Sequence, residues 1–200
     1  MIVVGLTGSI AMGKSETAKI FASLGIPVFD SDTAVHDIYS NDTQMIEAIA
    51  RIAPVAVAAG IVDRQKLSQA ISGNPALLSK IEAIVHPAVQ QRQKAFLDAC
   101  RAASHPMVIL DIPLLFETGR ANTVDKIVVV SAPAELQRQR AMIRPGMTEE
   151  KLDLILSRQM PDHEKRRLAD YVIDTSTGLG EARRQVKTIL DDIHKKPGQE

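Results

Sequence analysis

Two rhythms of apolar residues divide the chain. Unbroken apolar runs of strand length occur at Ile2 to Leu6, Met107 to Leu110 and Ile127 to Val130, with shorter ones at Val28-Phe29 and Tyr171 to Ile173. Runs without alternation predict strands buried on both faces, the pattern of a parallel sheet with helices on either side. Elsewhere the apolar positions recur at helical spacing. Ala18, Phe21, Ala22 and Leu24 predict a helix over 16–24 that Gly25 ends at C′. Further helices are expected at 133–143, 148–159, 161–169 and 179–194, and 195–200 reads as a frayed polar tail. From about 32 to 104 the pattern is helical, broken at Ser40-Asn41-Asp42, Gly60, Gly73-Asn74-Pro75 and His86-Pro87. Val55-Ala56-Val57 gives an ambiguous strand signal there. Alternation of strands and helices predicts an α/β fold.

Such a sheet takes its ligands at the carboxyl ends of its strands. After the first strand comes Gly8-Ser9-Ile10-Ala11-Met12-Gly13-Lys14-Ser15, which meets G-x-x-x-x-G-K-[ST] at every fixed position, between a strand and a helix as the motif demands. Glycines at 8 and 13 let the backbone bend around an anion, and the N–H groups of the loop and of the helix start face it. Lys14 reaches the outer phosphates, and the Ser15 hydroxyl suits Mg²⁺. A nucleoside triphosphate is the expected ligand.

Polar residues end the other strands, Ser131 the fourth and an acid each of the rest. Asp30 and Asp32 follow the second, Asp111 the third and Asp174 the last. Asp30 or Asp32 can cap the next helix, Asp32 having N-cap chemistry for a helix from Thr33. Either can instead orient an acceptor hydroxyl and take its proton during phosphoryl transfer. Asp111 is placed to bind Mg²⁺ or to begin a turn at Ile112-Pro113. Arg138, Arg140 and Arg144 fall within seven residues that hold no acid, ahead of Pro145-Gly146, and Thr148 with Glu149 and Glu150 starts a new helix. At i, i+4 spacing Arg140 and Arg144 share a face. The segment reads either as a lid whose cations close over phosphates and exclude water, or as a solvated basic face. Lys165-Arg166-Arg167 reads as a solvated face, and His86-Pro87 as a structural joint.

Composition narrows the partners. Basic and acidic residues number 24 each, so no net charge draws the chain to nucleic acid or anionic lipid, and 3% aromatics with no Trp leave few rings for stacking bases. Cys100, the lone cysteine, reads as a small core residue and fits a reducing, cytoplasmic compartment. The apolar start is interrupted at Gly5 and Gly8 and has no basic flank, so neither a signal peptide nor a membrane span is expected. The chain lacks the Asn-Lys-x-Asp signature of a guanine-nucleotide switch.

Together the motifs resemble the dephospho-coenzyme A kinase family of the P-loop kinase group. The matches are Leu6-Thr7-Gly8 through Lys14-Ser15, Gly25 through Asp32 with His36, Ile81 through His86-Pro87, Asp111-Ile-Pro-Leu114-Leu-Phe-Glu117, Arg140 and Arg144 with Gln159, and Ala169 through Asp174. They span nearly the whole chain in the family's order. The resemblance implies a five-stranded parallel core from 1–32 and 105–200, a helical acceptor-binding region at 33–104 and a lid within about 138–160. It implies transfer of the ATP γ-phosphoryl group, with Mg²⁺, to the ribose 3′-hydroxyl of dephospho-coenzyme A. Asp32 would be the base, Lys14 and Ser15 the phosphate and metal contacts with Asp111, and Arg140 and Arg144 the lid cations. Residues 8–15 and Thr175 would hold the nucleotide, and Thr7, Asp32, His36, His86, Pro87 and Leu114 the acceptor. Three positions depart from the family's pattern: Ala11 replaces the usual Gly, Glu16 a common Thr and Thr175 a common Asn. A Cβ at 11 fits if its backbone angles are ordinary.

Overall fold

The computed structural model describes residues 1–195, so the expected polar tail lies outside the described residues except for Lys195. In chain order the elements are β1 (Ile2–Thr7), α1 (Lys14–Ser23), β2 (Val28–Asp30), α2 (Ser31–Asn41), α3 (Thr43–Ile52), β3 (Val57–Ala58), β4 (Ile61–Val62), α4 (Arg64–Ile71), α5 (Pro75–Ala102), β5 (Met107–Asp111), β6 (Lys126–Ser131), α6 (Ala134–Met142), α7 (Glu149–Leu156), α8 (Asp162–Leu168), β7 (Tyr171–Asp174) and α9 (Leu179–His194). Two compact units result, one of Met1–Val28 with the described residues from Ser104 on, the other of Phe29–Ala103.

The large sheet has the order β2-β5-β1-β6-β7. Its register is parallel, with Val3 beside Val108, Leu6 beside Val128 and Val130 beside Ile173. The uninterrupted apolar runs follow from burial on both faces: Val4, Leu6, Ile109, Val128, Val130 and Ile173 form a core with Ala18 and Phe21 of α1 and Ala182, Val186 and Ile189 of α9. Gly25, at φ 81°, ends α1 as expected.

The second unit is built on α5. The helix runs straight through His86-Pro87, contrary to the expected break. A proline removes one backbone hydrogen bond, but Ile81, Val85 and Val89 bury one stripe on both sides of it and hold the two halves together. Arg92 of α5 pairs with Asp37 of α2 and, at 3.4 Å, with Asp42. Phe29 and Phe96 rings lie 5.5 Å apart. Around Val55-Ala56-Val57 the chain makes a 3₁₀ turn over Pro54–Ala56 and then the short antiparallel pair β3-β4. The hairpin reverses through Ala59 (φ 51°) and Gly60 (φ 76°), positive angles of the kind tight hairpins need. Cys100 is a buried free thiol, the small core residue expected.

Candidate active site

The loop between β1 and α1 is fitted to its neighbours residue by residue. Gly8 is required by packing rather than by its angles: a Cβ there would lie 2.6 Å from the Val130 carbonyl oxygen of β6. Gly13 does need its freedom, at φ 93° against the Thr175 side chain. Met12 is buried, and its Sδ accepts the Ala132 N–H at 3.1 Å. Ser9 is buried as well, so neither side chain is open to a ligand. Ala11 adopts φ 61°, so the condition of ordinary angles for a Cβ there is not met. A left-handed alanine costs roughly 1–2 kcal/mol; its methyl group packs with Ala141 of α6 and Leu152 of α7. The first turn of α1 leaves N–H groups without intrahelical acceptors, and Ser15 there is exposed.

Lys14 forms an ion pair with Asp111, whose side chain is 3% exposed. The carboxylate at the end of β5 thus faces the phosphate-loop lysine. The Ser15 hydroxyl and the Asp111 carboxylate are hard oxygen donors, the chemistry Mg²⁺ accepts when phosphates and water complete its shell. Thr7, expected among acceptor contacts, is wholly buried and donates its hydroxyl to the Pro113 carbonyl at 3.2 Å, which fixes the turn after Asp111. Leu114, next in that turn, is exposed.

Beside the loop lies a cavity of about 280 Å³ lined by Ala11, Gly13, Arg140, Arg144, Thr175 and Leu179, among others. The helix α6 stops at Met142, so Arg140 and Arg144 are not on one continuous helical face, yet both reach this cavity. Arg140 is held in place: it donates to the Thr175 hydroxyl and to the Thr175 carbonyl, both at 2.8 Å, while that hydroxyl lies 2.8 Å from the Met12 carbonyl. Arg138 is no free cation. It joins α6 to α7 by pairing with Glu149 and, at 2.9 Å, with Asp153. Thr148 caps α7 as expected.

In the second unit Asp30, not Asp32, caps α2: its Oδ1 accepts the N–H groups of Asp32 at 2.9 Å and Thr33 at 3.0 Å. The helix begins at Ser31, two residues earlier than the expected Thr33, which leaves Asp32 in the first turn. Asp32 is exposed, and its carboxylate has no hydrogen bond or ion pair among the described residues. His36, His86 and Pro87 are exposed.

Lys165 is the largest departure from expectation. Its side chain is 0% exposed and lies 2.8 Å from Glu117 Oε1, so the basic triplet is a solvated face only at Arg166 and Arg167. Burial alone raises the Glu117 carboxyl, but the Lys165 ammonium and the backbone donors, Met160 N–H among them, outweigh it and hold it below the usual carboxylate range. Gln137 also escaped the sequence reading. No spacing rule marks a glutamine, and only the lid boundaries drew attention to its neighbourhood.

A lysine and an acid meet at the phosphate loop, and two arginines from a separate helical pair reach the adjoining cavity. This fold with this site defines a P-loop kinase, a phosphotransferase. The sequence profile of the dephospho-CoA kinase family matches residues 2–181. The chain is 54% identical to a dephospho-CoA kinase of Mesorhizobium japonicum over 199 residues, covering 99% of this chain and 100% of the relative. It superposes on a Thermus thermophilus protein with a TM-score of 0.84 at 32% identity, over 98% of each chain. With the dephospho-CoA kinase of Campylobacter jejuni it shares the fold, at a TM-score of 0.67 and 22% identity over 97% of this chain and 98% of that one. The chain belongs to the dephospho-CoA kinase family.

Proposed function

We propose that this chain transfers the γ-phosphoryl group of ATP to the ribose 3′-hydroxyl of dephospho-coenzyme A, releasing coenzyme A and ADP, in the cytoplasm. The observation that carries the reading is the Lys14–Asp111 pair at the phosphate loop, with Arg140 and Arg144 lining the adjoining cavity. Lys14 and the α1 N-terminus attract the phosphates, and Arg140, already fixed on Thr175, presents a cation without reorganisation. Ser15 and Asp111 are the residues that would hold Mg²⁺, which when bound neutralises charge on the transferring phosphates. Asp32, unpaired and exposed, takes the proton of the acceptor hydroxyl, and Asp30 fixes the helix that carries it. His36, His86, Pro87 and Leu114 belong to acceptor binding.

A coupled assay with ATP, Mg²⁺ and dephospho-coenzyme A tests the reading against a panel of nucleoside monophosphates. ADP release is expected with dephospho-coenzyme A alone; equal or faster release with a monophosphate overturns the substrate. Asp32→Asn is expected to lower kcat by roughly 10²–10⁴ with unchanged ATP affinity, because only basicity is lost. Asp30→Asn keeps the cap and is expected to turn over normally. The reverse pattern exchanges the two roles.

A further inference from the structure

Both ends of the lid hold the same residue of the phosphate loop, Ile10. The Ile10 N–H donates to Gln159 Oε1 at 3.1 Å, and the Ile10 carbonyl accepts from Gln137 Nε2 at 2.8 Å. Gln137 lies on α6, where the chain enters the lid, and is buried; Gln159 follows α7, where the chain returns. The return is itself fastened one residue on. Met160 N–H donates to Glu117 Oε1 at 2.8 Å, and the wholly buried Lys165 sits 2.8 Å from the same oxygen. Apolar contacts follow the same line, since Ile10 and Ala11 pack with Ala141, Leu152, Met147 and Leu156.

The Ile10 N–H belongs to the peptide shared with Ser9 and the Ile10 carbonyl to the peptide shared with Ala11, so Gln159 and Gln137 fix two successive peptide planes, and each can turn only if its own bond gives way. The Ile10 N–H points to Gln159 and is therefore not one of the donors offered to phosphate oxygens. The next residue, Ala11, sits at φ 61°, a conformation that persists only where its surroundings fix it. The two glutamines and the apolar cluster are those surroundings. Whatever displaces the lid ends must release the two peptides that flank Ile10, and whatever sets those peptides biases the lid, because coupling between two sites is reciprocal.

We infer that Gln137 and Gln159 are positioning residues that set the conformation of the phosphate loop from the lid, with the Glu117–Lys165 pair as the fixed point of the returning segment. The inference rests on the phosphotransfer reading of the site. Gln137→Met and Gln159→Met keep side-chain length and remove the amide, and ATP affinity by calorimetry is the direct readout. Each variant is expected to weaken ATP binding and raise its KM by about five- to tenfold, the scale of one hydrogen bond, with kcat at saturating ATP within about threefold of wild type and an unchanged thermal midpoint. Affinity unchanged in both variants overturns the inference. So does a joint fall of kcat and midpoint without a change in affinity, which marks the glutamines as structural only. Wild-type protein that binds ATP but does not turn over dephospho-coenzyme A defeats the functional reading instead, and the calorimetric comparison still decides this one.

Discussion

At the scale of single residues, the buried Lys14–Asp111 pair decides what a phosphate-loop substitution does. Removing one partner of a largely buried pair takes the counter-charge from the other, which costs about 3 kcal/mol. Lys14→Ala is therefore expected to lose stability by about that amount as well as most of its turnover. Lys14→Ala combined with Asp111→Asn is expected to regain much of the stability and none of the turnover, by urea denaturation and assay; a single variant as stable as wild type would dissociate the pair from the fold. Lys14 was readable from sequence because the motif fixes its spacing. The split of roles between Asp30 and Asp32 was not, since either acid satisfies a strand-to-helix junction and only the helix start at Ser31 decides which one caps. Lys165 was invisible for another reason: its partner Glu117 is distant in sequence, and a charge triplet carries no local sign that one member turns inward.

At the scale of elements, the proposed lid, α6 and α7, has little apolar burial of its own. Among α6 and α7 only Gln137, Ala141 and Leu152 are buried, while Met142 and Ile143 at the turn are exposed, Ile143 by 82%. Segments with few buried apolar contacts open most readily. Amide exchange over 138–158 is expected to be fast without ligand and slow with ATP and dephospho-coenzyme A together; equal exchange in both states would make it a static element. Arg138→Ala, which removes the link from α6 to Glu149 and Asp153 of α7, is expected to speed the unliganded exchange. The bounds of α6 to α9 were readable to within a few residues from apolar spacing and the Thr148 cap. The continuity of α5 through Pro87 was not, because a proline marks a missing bond locally while the stripe that overrides it is a tertiary property.

At the scale of the whole molecule, the sheet was readable because parallel strands buried on both faces must be continuous in apolar residues, whereas the two-residue strands of the hairpin are too short to show a period. The long-range polar pairs that fasten loops onto this sheet leave their mark in acid. Glu117 has its carboxyl held below its ordinary value of 4.5 in the folded chain. The unfolded chain therefore takes up the proton first as pH falls. The stability Glu117 contributes is complete above its unfolded value and is lost as pH falls through the depressed folded one. Glu117→Gln removes that titration and leaves Lys165 buried without its carboxylate, at a cost of roughly 3 kcal/mol near neutrality. Thermal midpoints of wild type and variant should thus lie furthest apart above the ordinary glutamate value of 4.5 and approach each other as pH falls below it, through the depressed range in which folded wild-type Glu117 becomes neutral as well. A gap that stays constant from pH 7 to pH 3 would show that packing around residue 117, and not its charge, holds the returning segment of the lid.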